Sequence, residues 1–198
     1  MNTLALTQFC TFRLVPREHA KVSVFDSTVQ GGDAVWEGMR IYKCIDGVSR
    51  IFKMIEHVDR LFNSAKAMGF GALSGDGGED LLPARNFVTS ALRHTLAVNG
   101  MLDGAHMRVT LSRGPKTTSS MNPVFNAFGA LLIIVPEWKE IGSVTTYDNS
   151  KGIDLITATN RRNPPQCVDS KIHHCNLINN ILPKVIIVKN EDSVIIET

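Results

Sequence analysis

Two arginines occupy positions that suit the binding of anions. Arg60 follows Glu56 by one turn of a predicted helix, and this spacing by itself favours an exposed ion pair. Arg113 directly follows a predicted strand in the stretch TLSRGP. A guanidinium fixed there would offer a fork of donors to a carboxylate, although a solvated loop arginine explains the same pattern.

A second group of reactive side chains lies in the stretch DSKIHHCN. If residues 168–173 are extended, Lys171 and His173 project from the same face with Cα atoms about 6.6 Å apart. The adjacent His173 and His174 then face opposite sides of the strand, so they are poorly placed to share a metal ion. We therefore predict no metal site.

Strands and two helices must position these residues. Asp46-Gly47 predicts a tight hairpin turn. Strands are predicted at 21–25, 34–45, 48–52, 106–112 and 129–135. Apolar residues recur at helical spacing from Ile55 to Met68, and a second helix over 82–98 should end at Asn99-Gly100. Between the helices, the glycine-rich stretch 71–78 lacks a phosphate-binding pattern and is predicted to be a surface loop.

The last third of the chain has a less regular pattern. A linker is predicted at 136–142, because an apolar strand pattern stops at Pro136. Beyond it we expect strands at 153–159 and 168–172, a short helix at 176–182 that Pro183 ends, and a hairpin of 185–189 with 194–197. The predicted domains are 1–136 and 144–198, joined by a linker at 137–143.

The composition indicates an ordinary globular protein. The 198 residues are 43% apolar and 20% charged, with 21 Lys and Arg against 19 Asp and Glu, which argues against disorder and against a strongly basic nucleic-acid binder. No apolar stretch reaches the length of a membrane span. The four cysteines are scattered and no secretory leader is apparent, so we expect a reducing compartment, either the cytoplasm or an organelle if a transit peptide is missing from the sequence.

Taken in order, several segments resemble one enzyme family. They are VPREHAKVSVFDSTVQGGDAVWEGMRIYK, IFKMIEHVDRLFNSAKAMGF, MRVTLSRGP and DSKIHHCNLINNIL. Together they resemble the class IV, or fold-type-IV, pyridoxal-phosphate aminotransferases, and most closely the branched-chain-aminotransferase-like proteins. The resemblance implies an α+β fold of two domains, with an N-terminal α/β sandwich and an incomplete, β-rich C-terminal domain that binds the cofactor.

The resemblance also implies roles for individual residues. Arg60 would hold the phosphate of pyridoxal 5'-phosphate, and Glu197 would pair with the pyridinium nitrogen, which keeps the ring able to act as an electron sink. Arg108 and Arg113 stand where relatives receive the substrate carboxylate. Trp36 would line the substrate pocket.

The match to the family departs at the catalytic amine. The register of Asn176-Leu177 places His173 where the family carries its Schiff-base lysine, and an imidazole cannot form that imine. Lys171 is therefore the candidate imine former. The helix after NNIL is also short compared with relatives, and the sequence stops at Glu197-Thr198, before the family's phosphate-binding helix N-terminus. We expect a truncated second domain.

Three functions remain open at this point. The resemblance implies pyridoxal-phosphate-dependent transfer of an amino group between a branched-chain or related amino acid and a 2-oxo acid. The missing lysine instead favours a catalytically silent relative that serves as a binding or oligomerisation module. A third possibility is an aminodeoxychorismate lyase, which shares the fold and cofactor. The family also implies a homodimer.

Overall fold

The computed structural model describes residues 3–8, 11–71, 82–139, 150, 155–187 and 194–196. The chain divides into two compact units. Unit 1 comprises Met1–Trp138 together with Ile172–Cys175, and unit 2 comprises Lys139–Lys171 and Asn176–Thr198. The segment Ile172–Cys175 thus belongs to the first unit, although it comes late in the chain. No sequence pattern predicted this. The domain limits at residues 136 and 144 stay predictions.

An antiparallel sheet of six strands forms the framework of unit 1. Its strands are β1 Thr3–Gln8, β2 Thr11–Pro16, β3 Ala34–Lys43, β4 Ser49–Ile51, β5 Ala105–Ser112 and β6 Leu131–Trp138. Their order in the sheet is β2-β1-β6-β5-β3-β4. The predicted hairpin at Asp46-Gly47 joins β3 to β4 and is confirmed. The sequence reading missed β1 and β2, and its strand at 21–25 is wrong, because that stretch is a turn before a short helix.

The linker predicted from Pro136 is wrong in its first residues. The strand β6 continues through Pro136 to Trp138, which pairs with Ala105 of β5. On the other side, β1 pairs with residues 131–134 of β6.

Among the described residues of unit 1, the α-helices are α1 Ser27–Gly31, α2 Met54–Ala67 and α3 Arg85–Asn99. The amphipathic pattern of α2 is confirmed, since Val58, Leu61 and Ala65 are buried in the core against the sheet. Gly100 ends α3 with φ of 63°, as the Asn-Gly stop predicted. The helix α2 contacts β3, and this contact positions the candidate site.

Unit 2 contains β7 Leu155–Thr157, α4 Ile178–Ile187 and β8 Val194–Ile196. The predicted hairpin of 185–189 with 194–197 is wrong. Residues 185–187 belong to α4, and β8 pairs instead with β7, in parallel. Pro183 lies inside α4 rather than ending it, since a proline removes one backbone bond and can weaken a helix without stopping it. None of the helices among the described residues is long and apolar enough to cross a membrane.

The strand predicted at 168–172 is also wrong. Lys171 lies in a turn, and its backbone N–H donates to Asp169 Oδ1 at 2.9 Å. Aspartate side chains commonly stabilise turns in this way, in competition with an extended backbone. Lys171 and His173 therefore do not share a strand face, which removes the premise that the lysine amine could substitute directly for a group at position 173.

Candidate active site

A buried carboxylate on β3 forms the centre of the site. Alternate residues of β3 face the core, and Glu37 interrupts an otherwise apolar row of Val35, Met39 and Ile41. The side chain of Glu37 is fully buried. A charge in that position requires partners, because an isolated carboxylate is strongly disfavoured away from water.

The helix α2 supplies two of these partners. Arg60 donates from Nε to Glu37 Oε1 at 2.6 Å and from Nη2 to Glu37 Oε2 at 2.7 Å. His57 lies three residues earlier on the same helical face, with its Nδ1 2.8 Å from Oε2. The side chain of Arg60 stays 53% exposed while its guanidinium holds the carboxylate. The orientation of this partly exposed arginine is therefore fixed by the buried carboxylate of Glu37.

The charge on Glu37 is stabilised by its partners. Burial by itself would raise the pKa of Glu37, but the hydrogen bonds from Arg60 and His57, together with the nearby imidazole of His173, outweigh it and lower the pKa to about 2. In return, the hydrogen bond to Glu37 raises the pKa of Arg60. Glu37 is thus an anion at neutral pH, and Arg60 is a cation.

The segment Ile172–Cys175 lies along the edge of β3. Trp36 N–H donates to the carbonyl of His173 at 2.9 Å, and Cys175 N–H donates to the carbonyl of Ala34 at 2.8 Å. The backbone N–H of His173 also donates to Ser64 Oγ of α2 at 3.1 Å. These bonds fix position 173 between the strand and the helix.

The indole ring of Trp36 contacts one imidazole and one guanidinium. The imidazole of His173 lies against it with ring centroids 4.2 Å apart and planes tilted by 34°. The guanidinium of Arg108, on the neighbouring strand β5, lies 4.1 Å from the indole centroid. A cation over an indole face is attracted by the ring quadrupole. Trp36 thus joins Arg108 and His173 into one surface.

Neighbouring groups have shifted proton affinities. Burial, and then the nearby His173, lowers the pKa of His174. Burial raises the pKa of the Cys175 thiol, although Arg108 beside it acts in the opposite direction. The thiol is therefore not activated as a nucleophile.

Arg113 occupies a different environment from Arg108. Its guanidinium donates to both carboxylate oxygens of Asp33, at 2.6 and 3.1 Å, and to the carbonyls of Met68 and Gly69. The guanidinium also lies 4.3 Å from the ring centroid of Phe70. Four of its five N–H donors are used by these bonds. The structure therefore makes Arg113 a clamp between the end of α2 and the loop before β3, rather than a free receiver of a substrate carboxylate.

Other candidate sites fall elsewhere. Two cavities of about 620 and 510 Å³ lie along α3, and neither is lined by Trp36, Glu37 or Arg60. Among the described residues, no cluster of three or more His, Cys, Asp or Glu side chains could hold a metal ion. The glycine-rich stretch 72–78 and Glu197 lie outside the described residues.

Comparison with known proteins identifies the family. The model of the family Amino-transferase class IV matches residues 34–195, which is most of the chain. This chain belongs to the class IV aminotransferases. The match includes β3, α2 and β5, and hence every residue of the site described above.

The curated relatives that this chain matches are longer than the chain itself. The chain is 54% identical over 172 residues to branched-chain-amino-acid aminotransferase-like protein 1 of Arabidopsis thaliana, covering 87% of this chain and 28% of the relative. It is 30% identical over 173 residues to a putative branched-chain-amino-acid aminotransferase of Methanocaldococcus jannaschii, covering 87% and 52%. The chain thus spans between about a quarter and a half of these relatives.

Solved structures support the same fold, with α+β architecture in two domains. The T.th. branched-chain amino acid aminotransferase, complexed with N-(5'-phosphopyridoxyl)-L-glutamate, superposes with a TM-score of 0.77 at 24% identity. The superposition covers 98% of this chain and 57% of that one. A branched-chain aminotransferase from Thermoproteus uzoniensis, with norvaline, gives 0.75 at 19% identity, covering 98% and 59%. At these identities the likeness concerns the fold alone.

The structure brings Trp36, Arg60, Arg108 and His173 into one neighbourhood, and it places Lys171 in an exposed turn assigned to unit 2. The ion pair expected between Arg60 and Glu56 is wrong, because Glu56 instead lies 3.8 Å from Lys53. Sequence reasoning gave no role to three groups that complete the site. They are Glu37, His57 and Ser64. Glu37 and His57 belong to the quoted family motifs, and membership of these motifs is the sequence feature that could have identified them as site residues.

Proposed function

We propose that this class IV aminotransferase binds pyridoxal 5'-phosphate and takes part in transfer of an amino group between a branched-chain or related amino acid and a 2-oxo acid. The observation that carries the proposal is the Glu37–Arg60 pair. A buried carboxylate orients the guanidinium of Arg60, whose side chain is half exposed, at the position where the family resemblance expects the phosphate arginine. The names of the curated relatives support the same class of substrates.

The residues present fit the phosphate of the cofactor. Arg60 is a permanent cation whose exposed portion can donate to phosphate oxygens while Glu37 holds its other edge. Trp36 would pack beside the bound molecule, and Arg108, already lying over the indole, would receive the substrate carboxylate. When bound, pyridoxal phosphate supplies a ring that withdraws electrons from the reacting carbon. Glu197 as partner of the ring nitrogen stays a prediction.

A second function is favoured by the residue at position 173. An imidazole stands against Trp36 where the family resemblance places a lysine, and Lys171 has an exposed side chain in a turn. A catalytically silent relative, serving as a binding or oligomerisation module, explains both features. An aminodeoxychorismate lyase would share the phosphate site and differ in releasing pyruvate.

Amino-group transfer tests these functions. The protein is incubated with pyridoxal phosphate, leucine and 2-oxoglutarate, and glutamate formation is measured. Lys171→Ala should abolish transfer if Lys171 is the imine former, whereas Lys184→Ala on the exposed surface of α4 serves as the matched control. Failure to take up the cofactor at all would contradict the proposal. Pyruvate release from aminodeoxychorismate would identify the lyase.

The assembly and compartment are also proposals. The family resemblance implies a homodimer, which sedimentation at several protein concentrations would test. We propose a cytoplasmic or organellar location, since the cysteines are scattered. The described Cys44, Cys167 and Cys175 are free thiols.

A further inference from the structure

Position 173 is held by the backbone, independently of its side chain. Its carbonyl accepts a hydrogen bond from the backbone N–H of Trp36, and its own backbone N–H donates to Ser64 Oγ. One bond is to β3 and the other to α2, so the residue is fixed relative to both elements that carry the candidate site. Whatever side chain stands at 173 therefore starts from the same Cα position.

The imidazole of His173 points toward the groups of the site. Its ring lies against Trp36, and its Nδ1 lies 3.4 Å from Glu37 Oε1, longer than a well-formed hydrogen bond. The same carboxylate oxygen accepts the Nε–H of Arg60 at 2.6 Å. His173 is therefore a near neighbour of the guanidinium proposed to hold the phosphate, and the carboxylate of Glu37 lies beside both groups.

The chemistry of this side chain differs from that of a lysine in one decisive respect. A primary amine condenses with an aldehyde and loses water to give an imine, whereas an imidazole has no NH₂ group and cannot complete that condensation. Among the described residues at position 173 and around Trp36, the site therefore presents an imidazole where an amine would be needed for covalent attachment.

Lys171 does not supply the missing amine. Its side chain is exposed, its backbone is in a turn closed by Asp169, and it belongs to unit 2 rather than to the segment that lines Trp36. A reacting group that is misplaced by about 1 Å can already cost a hundredfold in rate.

Building on the proposed binding of pyridoxal phosphate, we infer that the chain holds this cofactor without a covalent bond, and that His173 is the residue that prevents the attachment. The phosphate is bound through Arg60, and the ring lies beside Trp36 and His173. The bound cofactor exchanges freely with solution. A single substitution, His173→Lys, restores an amine at a position whose backbone is already fixed.

Borohydride trapping tests the inference directly. The protein is loaded with pyridoxal phosphate, reduced with borohydride, digested and analysed by mass spectrometry, and a parallel sample is dialysed before reduction. In the unsubstituted protein we expect saturable binding, complete loss of the cofactor on dialysis, and no stoichiometric adduct on any lysine. In His173→Lys we expect retention on dialysis and an adduct at residue 173.

Lys171→Arg is the matched control, because it keeps the charge and removes the primary amine. A stoichiometric adduct on Lys171 in the unsubstituted protein, abolished by Lys171→Arg, would overturn the inference and leave the proposed cofactor intact. Absence of any binding by both folded proteins would instead refute the proposed cofactor, and the inference with it. If His173→Lys fails to fold, dialysis and trapping of the unsubstituted protein still decide the question.

Quenching of Trp36 fluorescence gives a readout independent of activity. The cofactor bound beside Trp36 should quench its emission reversibly, and Trp36→Phe should remove the signal, leaving only that of Trp138 at the end of β6. Quenching that persists after dialysis of the unsubstituted protein would contradict free exchange.

Discussion

Glu37 and Arg60 meet across the boundary between a strand and a helix, joined by two hydrogen bonds of 2.6 and 2.7 Å. The side chain of Glu37 is fully buried and the side chain of Arg60 is half exposed. One partner is therefore part of the core and the other is part of the surface. This arrangement lets the packing of unit 1 determine where the anion-binding side chain points.

Glu37→Gln should destabilise the protein by about 2 to 3 kcal/mol at neutral pH, because it leaves Arg60 and His57 without their anion. Urea unfolding at pH 7 measures the loss. Glu56→Gln is the control, since Glu56 is exposed and lies 3.8 Å from Lys53. A Glu37→Gln variant as stable as the parent would show that the buried pair contributes nothing.

The acid stability of the protein should depend on the same carboxylate. Folding lowers the pKa of Glu37 from 4.5 to about 2. Its contribution to the free energy of unfolding is therefore complete above about pH 5 and is lost as the pH falls from there to about 2. The contribution is on the order of 3 kcal/mol. Unfolding measured between pH 6 and 2 should show this slope in the parent and a shallower one in Glu37→Gln. Parallel slopes would refute the assignment.

Arg113→Lys should lower stability by about 2 to 4 kcal/mol, since lysine cannot reproduce the fork to Asp33 together with the bonds to two carbonyls. Arg108→Lys is the matched substitution on an exposed arginine, where loss of the contact with Trp36 costs about 0.5 to 1 kcal/mol. Thermal unfolding of both variants distinguishes a structural clamp from a surface cation. Equal losses would contradict the distinction.

Gly114→Ala should destabilise the protein severely, by about 3 kcal/mol or more. Gly114 has φ of 102°, and an added Cβ would lie 1.8 Å from the carbonyl oxygen of Gly129. Gly47→Ala shares the positive φ, at 78°, but its Cβ would meet nothing within 4 Å, so its cost should be about 1 kcal/mol. Chemical denaturation of the pair isolates the close backbone approach from backbone strain.

Ser64→Ala should loosen the segment 172–175 by removing the acceptor of the His173 N–H. We expect a loss of about 1 kcal/mol in global stability and faster hydrogen exchange at His173. Ser90→Ala, on the exposed face of α3, should change neither. Unchanged exchange at His173 would mean that the bond to α2 does not hold the segment.

Local patterns predicted the elements that carry the site. The helical spacing of Val58, Leu61 and Ala65 located α2, and the Asp46-Gly47 turn located the β3–β4 hairpin, because both signals depend on neighbouring residues only. The same locality explains the errors. Apolar residues at 168–172 suggested a strand, but an Asx turn at Asp169 was formed instead.

The partner of Arg60 could not be found in this way. Glu56 is one helical turn away, and Glu37 lies 23 residues earlier on another element. Sequence spacing favours the nearer acid, whereas burial makes the distant carboxylate the stronger acceptor. His57 and Ser64 lie on α2 within the predicted pattern, yet their roles depend on residues 37 and 173, which only folding brings to them.

The sequence by itself determined the family, through ordered motifs, and it predicted, through register, that His173 replaces the expected lysine. Only the tertiary structure decided that His173 lies against Trp36, that Arg113 is occupied by Asp33, and that Lys171 lies in an exposed turn. Motifs and register are properties of neighbouring residues along one chain. The occupancy of a guanidinium or an amine depends instead on which distant groups compete for it once the core has packed.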